Sequence, residues 1–348
     1  MVKAVIFRRP FESESMKTGL GRYADGIQGC LKAEDVEYIP MDLSLKRGIK
    51  GLLIDGMIRP LLHLINCNDK SVTYHATDEL CGALFPFVKG RRILTVHHVI
   101  TDNEWDGIFS LIWRKLTKYA VKRADTIISI SEPTTADLID MGVSPDKIVT
   151  INNRVDTVFR RLDIQKSRYI GCMGSLYPRK NMQDSLLAFF ELIERPGMDD
   201  LELRIVGKGP EEENLRLRSK ELGIDDKVSF LKDLDEQELV KFYNESLLIF
   251  NTSLHEGFGL VTLEAQACGT PTLHLAHAHI PEVVTRMSIP CESPHDMARK
   301  AYDLLNDKCE YNRISKKSEE YVADFNNGYC RRYRSVLFDD YNGPDNSE

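Results

Sequence analysis

Residues 247–271 confine the chain more tightly than any other stretch. Leu247, Leu248, Ile249 and Phe250 form a short apolar run suited to a buried strand, followed by a turn and then Glu256-Gly257-Phe258-Gly259. A helical pattern starts there, with Leu260, Leu263 and Ala267 on one face, and stops at Gly269-Thr270-Pro271. Gly257 and Gly259 let a ligand or a tight turn approach the backbone. The helix N-terminus beyond Gly259 offers unpaired N–H groups and partial positive charge to an anion. Glu256 falls in the loop and Glu264 about two turns along the helix. An ordinary strand–loop–helix unit with two solvated glutamates would read the same in isolation, so the rest of the chain has to decide.

At 348 residues, the chain is long enough for two domains with ample core. With 42% hydrophobic and 28% charged residues it has a globular composition, and its net charge of −7 argues against nucleic acid as a partner. Eight cysteines are scattered without a C-x-x-C pair, which predicts free thiols rather than a disulfide framework or a zinc site. The N-terminus enters a strand directly, without signal-peptide organisation. The longest apolar region, 51–67, is interrupted by Asp55, Arg59 and His63, so no transmembrane helix is expected. A cytoplasmic protein is the expectation.

The same unit recurs along the chain. Lys3–Phe7 reads as a buried parallel strand, and Thr18-Gly19-Leu20-Gly21-Arg22-Tyr23 opens a helix to about Leu31, a turn where phosphate can meet backbone N–H groups. Two strands end in histidines, Ser71–His75 and Arg92–His97, the latter followed by His98; strand ends of this kind face ligands in doubly wound sheets. Residues 109–123 form a basic amphipathic helix with Arg114, Lys115, Lys118, Lys122 and Arg123 on one face and Trp113 as a candidate interfacial anchor. Either it packs as a plain surface helix or it touches an anionic membrane. A strand at 126–131, a helix from Pro133 and a strand at 147–151 follow.

The second half repeats the pattern. Arg168–Met173 is a strand, and Gly174-Ser175-Leu176-Tyr177-Pro178-Arg179-Lys180-Asn181 leads to a helix through Leu192. Adjacent Arg and Lys at such a mouth suit a diphosphate, Arg as a fork and Lys as a compact charge. Leu201–Val206 is followed by Gly207-Lys208-Gly209-Pro210, which lacks the third glycine of a dinucleotide fingerprint. A strand at 228–231, the loop Lys232-Asp233-Leu234 and a helix from Asp235 lead back to the stretch at 247–271. His274, His277 and His279 fit no metal-ligand spacing, and residues 293–323 are helical and charged.

Glu256 and Glu264 eight residues apart, the GFG between them and the EAQACGTP that follows resemble the Glu-x7-Glu signature of retaining GT-B glycosyltransferases, family 4 in particular. Other segments resemble the same family over nearly the whole chain. Gly19 to Tyr23 is similar to its GGxGRY loop, with Thr18 in place of the first glycine. His97 matches a histidine that touches the donor sugar, with His98 where Asp is frequent. Residues 152–159 (NNRVDTVF) are similar to its NGVD-x-x-F interdomain linker, with Arg154 in place of Gly. Residues 174–181 resemble its G-x-L-x-x-x-K-G/N loop, with Ser175 where Arg often stands, and Gly207-Lys208-Gly209-Pro210 its VGxGP turn.

The resemblance implies an α/β chain of the GT-B fold: two Rossmann-like domains with parallel sheets facing a central cleft. It implies an acceptor-side domain over 1–160, a nucleotide-sugar-binding domain over 161–325, and a terminal segment over 326–348 that crosses back. It implies retaining transfer of a hexose, with mannose from GDP-mannose the first choice. In it Lys180 and Arg179 meet the diphosphate, Glu256 and His97 lie beside the sugar, and Glu264 accepts hydrogen bonds from the ribose. Gly19, Gly21, Ser175, Gly207, Leu234, Gly257, Phe258, Gly259 and Leu260 line the donor. No metal or cofactor is implied, the donor being a substrate, and a retaining two-carboxylate hydrolase would instead need its carboxyls about 5 Å apart. The expected partners are that donor and a saccharide, glycan or glycolipid acceptor, with a homodimer left open. UDP-hexose donors, a nucleotide-sugar epimerase and a non-catalytic GT-B binding protein remain alternatives.

Overall fold

A computed structural model describes residues 3–9, 19–42, 54–99 and 108–338, leaving aside the side chains of 66, 67 and 108–113. The chain divides into two compact units, the first running to Arg154 and resuming at Gly328, the second spanning Val155–Asn327.

The first unit is built on a parallel sheet of β1 (Ala4–Arg8), β2 (Val36–Pro40), β3 (Thr73–Ala76), β4 (Arg92–Val96), β5 (Thr126–Ser129) and β6 (Ile148–Thr150), in the order β2-β1-β3-β4-β5-β6. Helices α1 (Gly19–Cys30), α2 (Arg59–Cys67), α3 (Ile108–Arg123) and α4 (Glu132–Asp140) make the crossovers, α2 continuing a π-turn at Ile54–Ile58. The alternating side chains of β1 show how the sheet is buried on both faces: Ala4 and Ile6 pack with Tyr23, Ile27 and Ile128 on one side, Val5 and Phe7 with Tyr74, Leu84 and Leu94 on the other. Ser131 fixes the start of α4, its hydroxyl accepting from the Thr134 N–H at 3.2 Å with Pro133 in the first turn.

The second unit repeats the plan with β7 (Tyr169–Met173), β8 (Glu202–Val206), β9 (Val228–Leu231), β10 (Leu248–Asn251), β11 (Thr272–Leu275) and β12 (Ile289–Cys291), all parallel, in the order β12-β11-β10-β7-β8-β9. Its helices are α5 (Met182–Ile193), α6 (Glu212–Glu221), α7 (Glu236–Glu245), α8 (Leu260–Ala267), α9 (Glu282–Thr285), α10 (Pro294–Asn306) and α11 (Lys308–Phe325). Asp235 and Glu238 form a reciprocal capping box at α7. The strand order reverses between β7 and β10, so the loops leaving these two neighbours flank a topological switch point, where open α/β sheets bind ligands.

After Asn327 the chain returns to the first unit as α12 (Tyr329–Leu337). Tyr333, Val336 and Leu337 join the core under α1, and the Tyr333 hydroxyl bonds the His75 Nδ1 at 2.6 Å. Cys330 forms a disulfide with Cys30 at the end of α1. This corrects the expectation of free thiols for that pair: 300 residues separate them, so no spacing could reveal the bridge. The cysteines 81, 172, 268, 291 and 309 are free. Among the described residues no helix is long and apolar enough to cross a membrane.

Candidate active site at the switch point of the second unit

The loop after β7 and the loop after β10 converge on one buried ion cluster. Gly174 ends β7, the turn Pro178–Lys180 follows, and Asn181 takes a left-handed conformation (φ 46°) before α5. A side chain on Gly174 would stand 3.3 Å from the Lys180 Cε, so the glycine makes room for the lysine stem. The backbone then pins the second loop to the first: the Leu254 N–H donates to the Arg179 carbonyl at 2.9 Å, and Arg179 Nη1 donates to the His255 carbonyl at 3.1 Å.

Lys180 Nζ consequently pairs with Glu256 Oε1, both side chains being under 10% exposed, while Arg179 Nη1 lies 3.6 Å from Glu256 Oε2. Burial pushes the Glu256 carboxyl up, but Lys180 and Arg179 outweigh it and hold the group below the ordinary carboxylate range. Burial pulls Lys180 down, with Arg179 adding to that and Glu256 opposing it. Each charge compensates the other's burial, and Ser253 adds a hydrogen bond to Glu256. Glutamate and cations, read in the sequence as having separate duties, are thus one cluster.

The neighbouring glycines have a structural cause. A Cβ on Gly207 would sit 1.8 Å from the Gly174 carbonyl oxygen, and one on Gly209 would sit 2.2 Å from that of Leu176. The loops they occupy are laced together by Gly174 N–H to the Val206 carbonyl (3.0 Å) and Leu176 N–H to the Lys208 carbonyl (2.8 Å). Ser175 lies half-buried in this seam. Leu234 follows Asp233, which has φ 54° and pairs with Lys208 beside the same loops.

On the other side of Glu256 the chain turns into α8. The Glu256 N–H donates to the His279 carbonyl at 3.0 Å, and Gly259 caps α8 at φ 102°, a conformation that favours glycine. Gly257 and Phe258 lie between; the Phe258 ring turns inward and stacks on Phe325 at 6.1 Å. Leu260 opens the helix and carries one of its unladdered N–H groups. Glu264 is 1% exposed and accepts from the Tyr243 hydroxyl at 2.9 Å. Tyr243 and Ser253 were not singled out by the sequence, since a tyrosine inside an amphipathic helix and a serine in a turn carry no signal alone. His274 is engaged elsewhere, its Nδ1 3.0 Å from the Ser288 hydroxyl.

His97, Gly19 and Gly21 belong to the first unit. The two glycines occupy the first turn of α1 rather than a preceding turn, and Thr18 lies outside the described residues. His97 follows β4; its ring Nε2 lies 2.8 Å from the Thr77 carbonyl, and the ring meets Tyr23 edge-on at 4.7 Å. Burial lowers its pKa to about 4, so it is neutral near pH 7. Its backbone N–H donates to Glu79 Oε1 at 3.2 Å. Glu79 was also missed: burial first, and Asp78 next, raise its pKa to about 7. A carboxylic acid poised there beside His97 has no motif to announce it.

Residues 155–321 match the family model "Glycosyl transferases group 1", and residues 72–159 match "Glycosyltransferase Family 4". The chain is 30% identical over 328 residues to a D-inositol 3-phosphate glycosyltransferase of Corynebacterium aurimucosum, covering 86% of this chain and 71% of that protein. It is 31% identical over 212 residues to an MMP alpha-(1->4)-mannosyltransferase of Mycolicibacterium hassiacum, covering 55% and 50%. A further inositol relative, from Acidothermus cellulolyticus, is spanned over 38% of its length. Anabaena HepE, solved with UDP, superposes with a TM-score of 0.69 at 15% identity over 96% of this chain and the whole of that one. With two parallel six-stranded sheets and these matches in both halves, the chain belongs to the GT-B glycosyltransferases of family 4.

Proposed function

We propose that the chain transfers a hexose from a nucleotide-sugar to a sugar, glycan or glycolipid acceptor with retention of anomeric configuration and without a metal ion. The observation that carries this reading is the buried Lys180–Glu256 pair, with Arg179 at its more exposed edge, beside the α8 N-terminus. Breaking the bond between sugar and phosphate builds negative charge on the departing diphosphate. Arg179, Lys180 and the first N–H groups of α8 are preorganised donors for that charge, and such donors supply a large share of catalysis. Glu256 holds the Lys180 ammonium in place in the resting protein and, in this reading, lies next to the hexose. Glu264 takes the ribose hydroxyls, Tyr243 orienting its carboxylate. The acceptor oxygen attacks the anomeric carbon on the face the diphosphate leaves, and its proton passes to the leaving phosphate oxygen. His97, neutral, is suited to hydrogen-bond a sugar hydroxyl.

GDP-mannose is the donor we favour, from the PRKN form of the loop and the mannosyltransferase relative. UDP-hexose is the second reading, supported by the likeness to a protein solved with UDP. Binding and turnover over a panel of GDP-, UDP- and dTDP-sugars, with and without EDTA, tests both, with the product anomer read by NMR. Retained product with GDP-mannose in EDTA is expected. Absence of nucleotide binding across the panel overturns the reading, inverted product overturns retention, and loss of turnover in EDTA overturns the metal-free step.

A further inference from the structure

The loop after β3 grips the residue that follows β4 at two points. The Thr77 carbonyl lies 2.8 Å from the His97 ring Nε2, and Glu79 Oε1 accepts the His97 backbone N–H at 3.2 Å. A carbonyl oxygen only accepts, so Nε2 carries the ring proton and Nδ1 is left as the acceptor of the neutral imidazole. Tyr23 meets the same ring edge-on at 4.7 Å. Its hydroxyl is itself held 2.7 Å from that of Thr95, which lies 2.8 Å from His75 Nε2. Asp78 serves other partners, pairing with Arg9 at 2.6 Å and accepting the Cys81 N–H at 2.9 Å. Thr77 and Glu79 are 4 and 3% exposed, whereas His97 is half-buried. The grip is thus interior, while the residue gripped reaches solvent.

We propose that Glu79 is a positioning residue that, together with the Thr77 carbonyl, presents His97 to substrate as a hydrogen-bond acceptor through Nδ1 alone. The ligand group that fits is a hydroxyl donating its proton to that nitrogen, which rests on the reading of His97 as lying beside the hexose. Burial and Asp78 raise the Glu79 carboxyl to about 7, so below that pH it is a neutral acid that accepts the N–H without needing a cation. Ionised, it becomes a buried anion beside Asp78, is drawn towards water and loosens the grip. The charged or titratable groups acting on it are Asp78, Arg9 beyond β1, Cys81 from the helical turn Cys81–Phe87 and His97 beyond β4. Arg9 and Cys81 are shifted upward and the His97 ring down to about 4, so none of these three titrates near pH 7.

The test is two-dimensional proton–nitrogen NMR of the nitrogen-labelled full chain, without donor. The His97 ring is expected as the Nε2–H tautomer, and its backbone amide should titrate with a midpoint of about 7. Glu79→Gln should keep the tautomer and abolish the titration, because its amide oxygen still accepts but does not ionise. Glu79→Leu should displace the His97 amide resonance and mix the tautomers. Hydrolysis of GDP-mannose and of UDP-glucose reads the consequence. Glu79→Leu should lower kcat by about tenfold or more with KM little changed, and Glu79→Gln should recover most of it. Turnover of the parent should fall as pH rises through about 7, and that of Glu79→Gln should not. A ring proton on Nδ1, or a His97 amide indifferent to Glu79→Leu, overturns the proposal. If the leucine variant unfolds, the glutamine variant decides, since a titration that survives it overturns the proposal too. The expected spectra with turnover indifferent to Glu79→Leu uphold the grip and overturn only the placement of His97 beside the hexose.

Discussion

Lys180 and Glu256 form a pair that neither could leave without cost. Removing the ammonium leaves a carboxylate under 10% exposed with Arg179, 3.6 Å away, and the Ser253 hydrogen bond to compensate it. Lys180→Met should therefore lower stability by about 3 kcal/mol, the usual penalty for breaking a buried pair from one side, besides abolishing turnover. Lys180→Met/Glu256→Gln should recover most of the stability in urea melts yet none of the turnover. If turnover returned with stability, Lys180 would have only a structural duty. Glu79 makes the converse case. Its pKa, about 7 in the fold against an ordinary 4.5, means that the folded state binds the extra proton between those values. Stability is then full below pH 4.5 and falls as pH rises to 7. Glu79→Gln keeps an acceptor for the His97 N–H and removes the titration, so it should match the parent at pH 4 and exceed it by about 3 kcal/mol at pH 8. Equal melting temperatures at pH 8 would refute that burial.

At the scale of elements, most strands and helices were legible because parallel strands buried on both faces read as short apolar runs, and the caps at Ser131 and Asp235 have side chains that announce them, whereas β11, β12 and α2 were not read. β2 was not legible. Val36–Pro40 carries Glu37 and Tyr38 at a sheet edge and has no continuous apolar run. The motif at Glu256 was legible as a place but not as an arrangement, because the pairing with Lys180 joins residues 76 apart and depends on β7 and β10 lying side by side. The glycines of the VGKGP turn were legible as a motif, yet their closest constraint is a neighbouring loop. Gly207→Ala would drive a methyl to 1.8 Å from the Gly174 carbonyl, so backbone must move. Gly223, at φ 69°, has nothing within 4 Å of its would-be Cβ, and its substitution should cost only about 1 kcal/mol. Denaturation of Gly207→Ala should show at least three times that loss; near-equal losses would mean that the seam between the two loops is soft.

At the scale of the molecule, the described residues before Val155 and those of α12 belong to one unit, with the second unit between them in sequence. The first unit cannot complete its core without that return, since Tyr333 and Val336 are 0–1% exposed against α1 and β1, and Arg91 donates to the Val336 carbonyl at 2.9 Å. The Cys30–Cys330 bridge fastens the return covalently, and it closes a loop of 300 residues, so it restricts the unfolded chain over nearly its full length. Cys30→Ser/Cys330→Ser should therefore destabilise the first unit by about 3 kcal/mol, with little effect on melting signals of the second. A reductant should lower the parent's first transition to that of the double variant and leave the variant unmoved, since the remaining described cysteines are free thiols already. Mass spectrometry of unreduced peptides should show the two segments linked. A parent transition indifferent to reductant would mean that packing of Tyr333 and Val336 alone holds α12 in place.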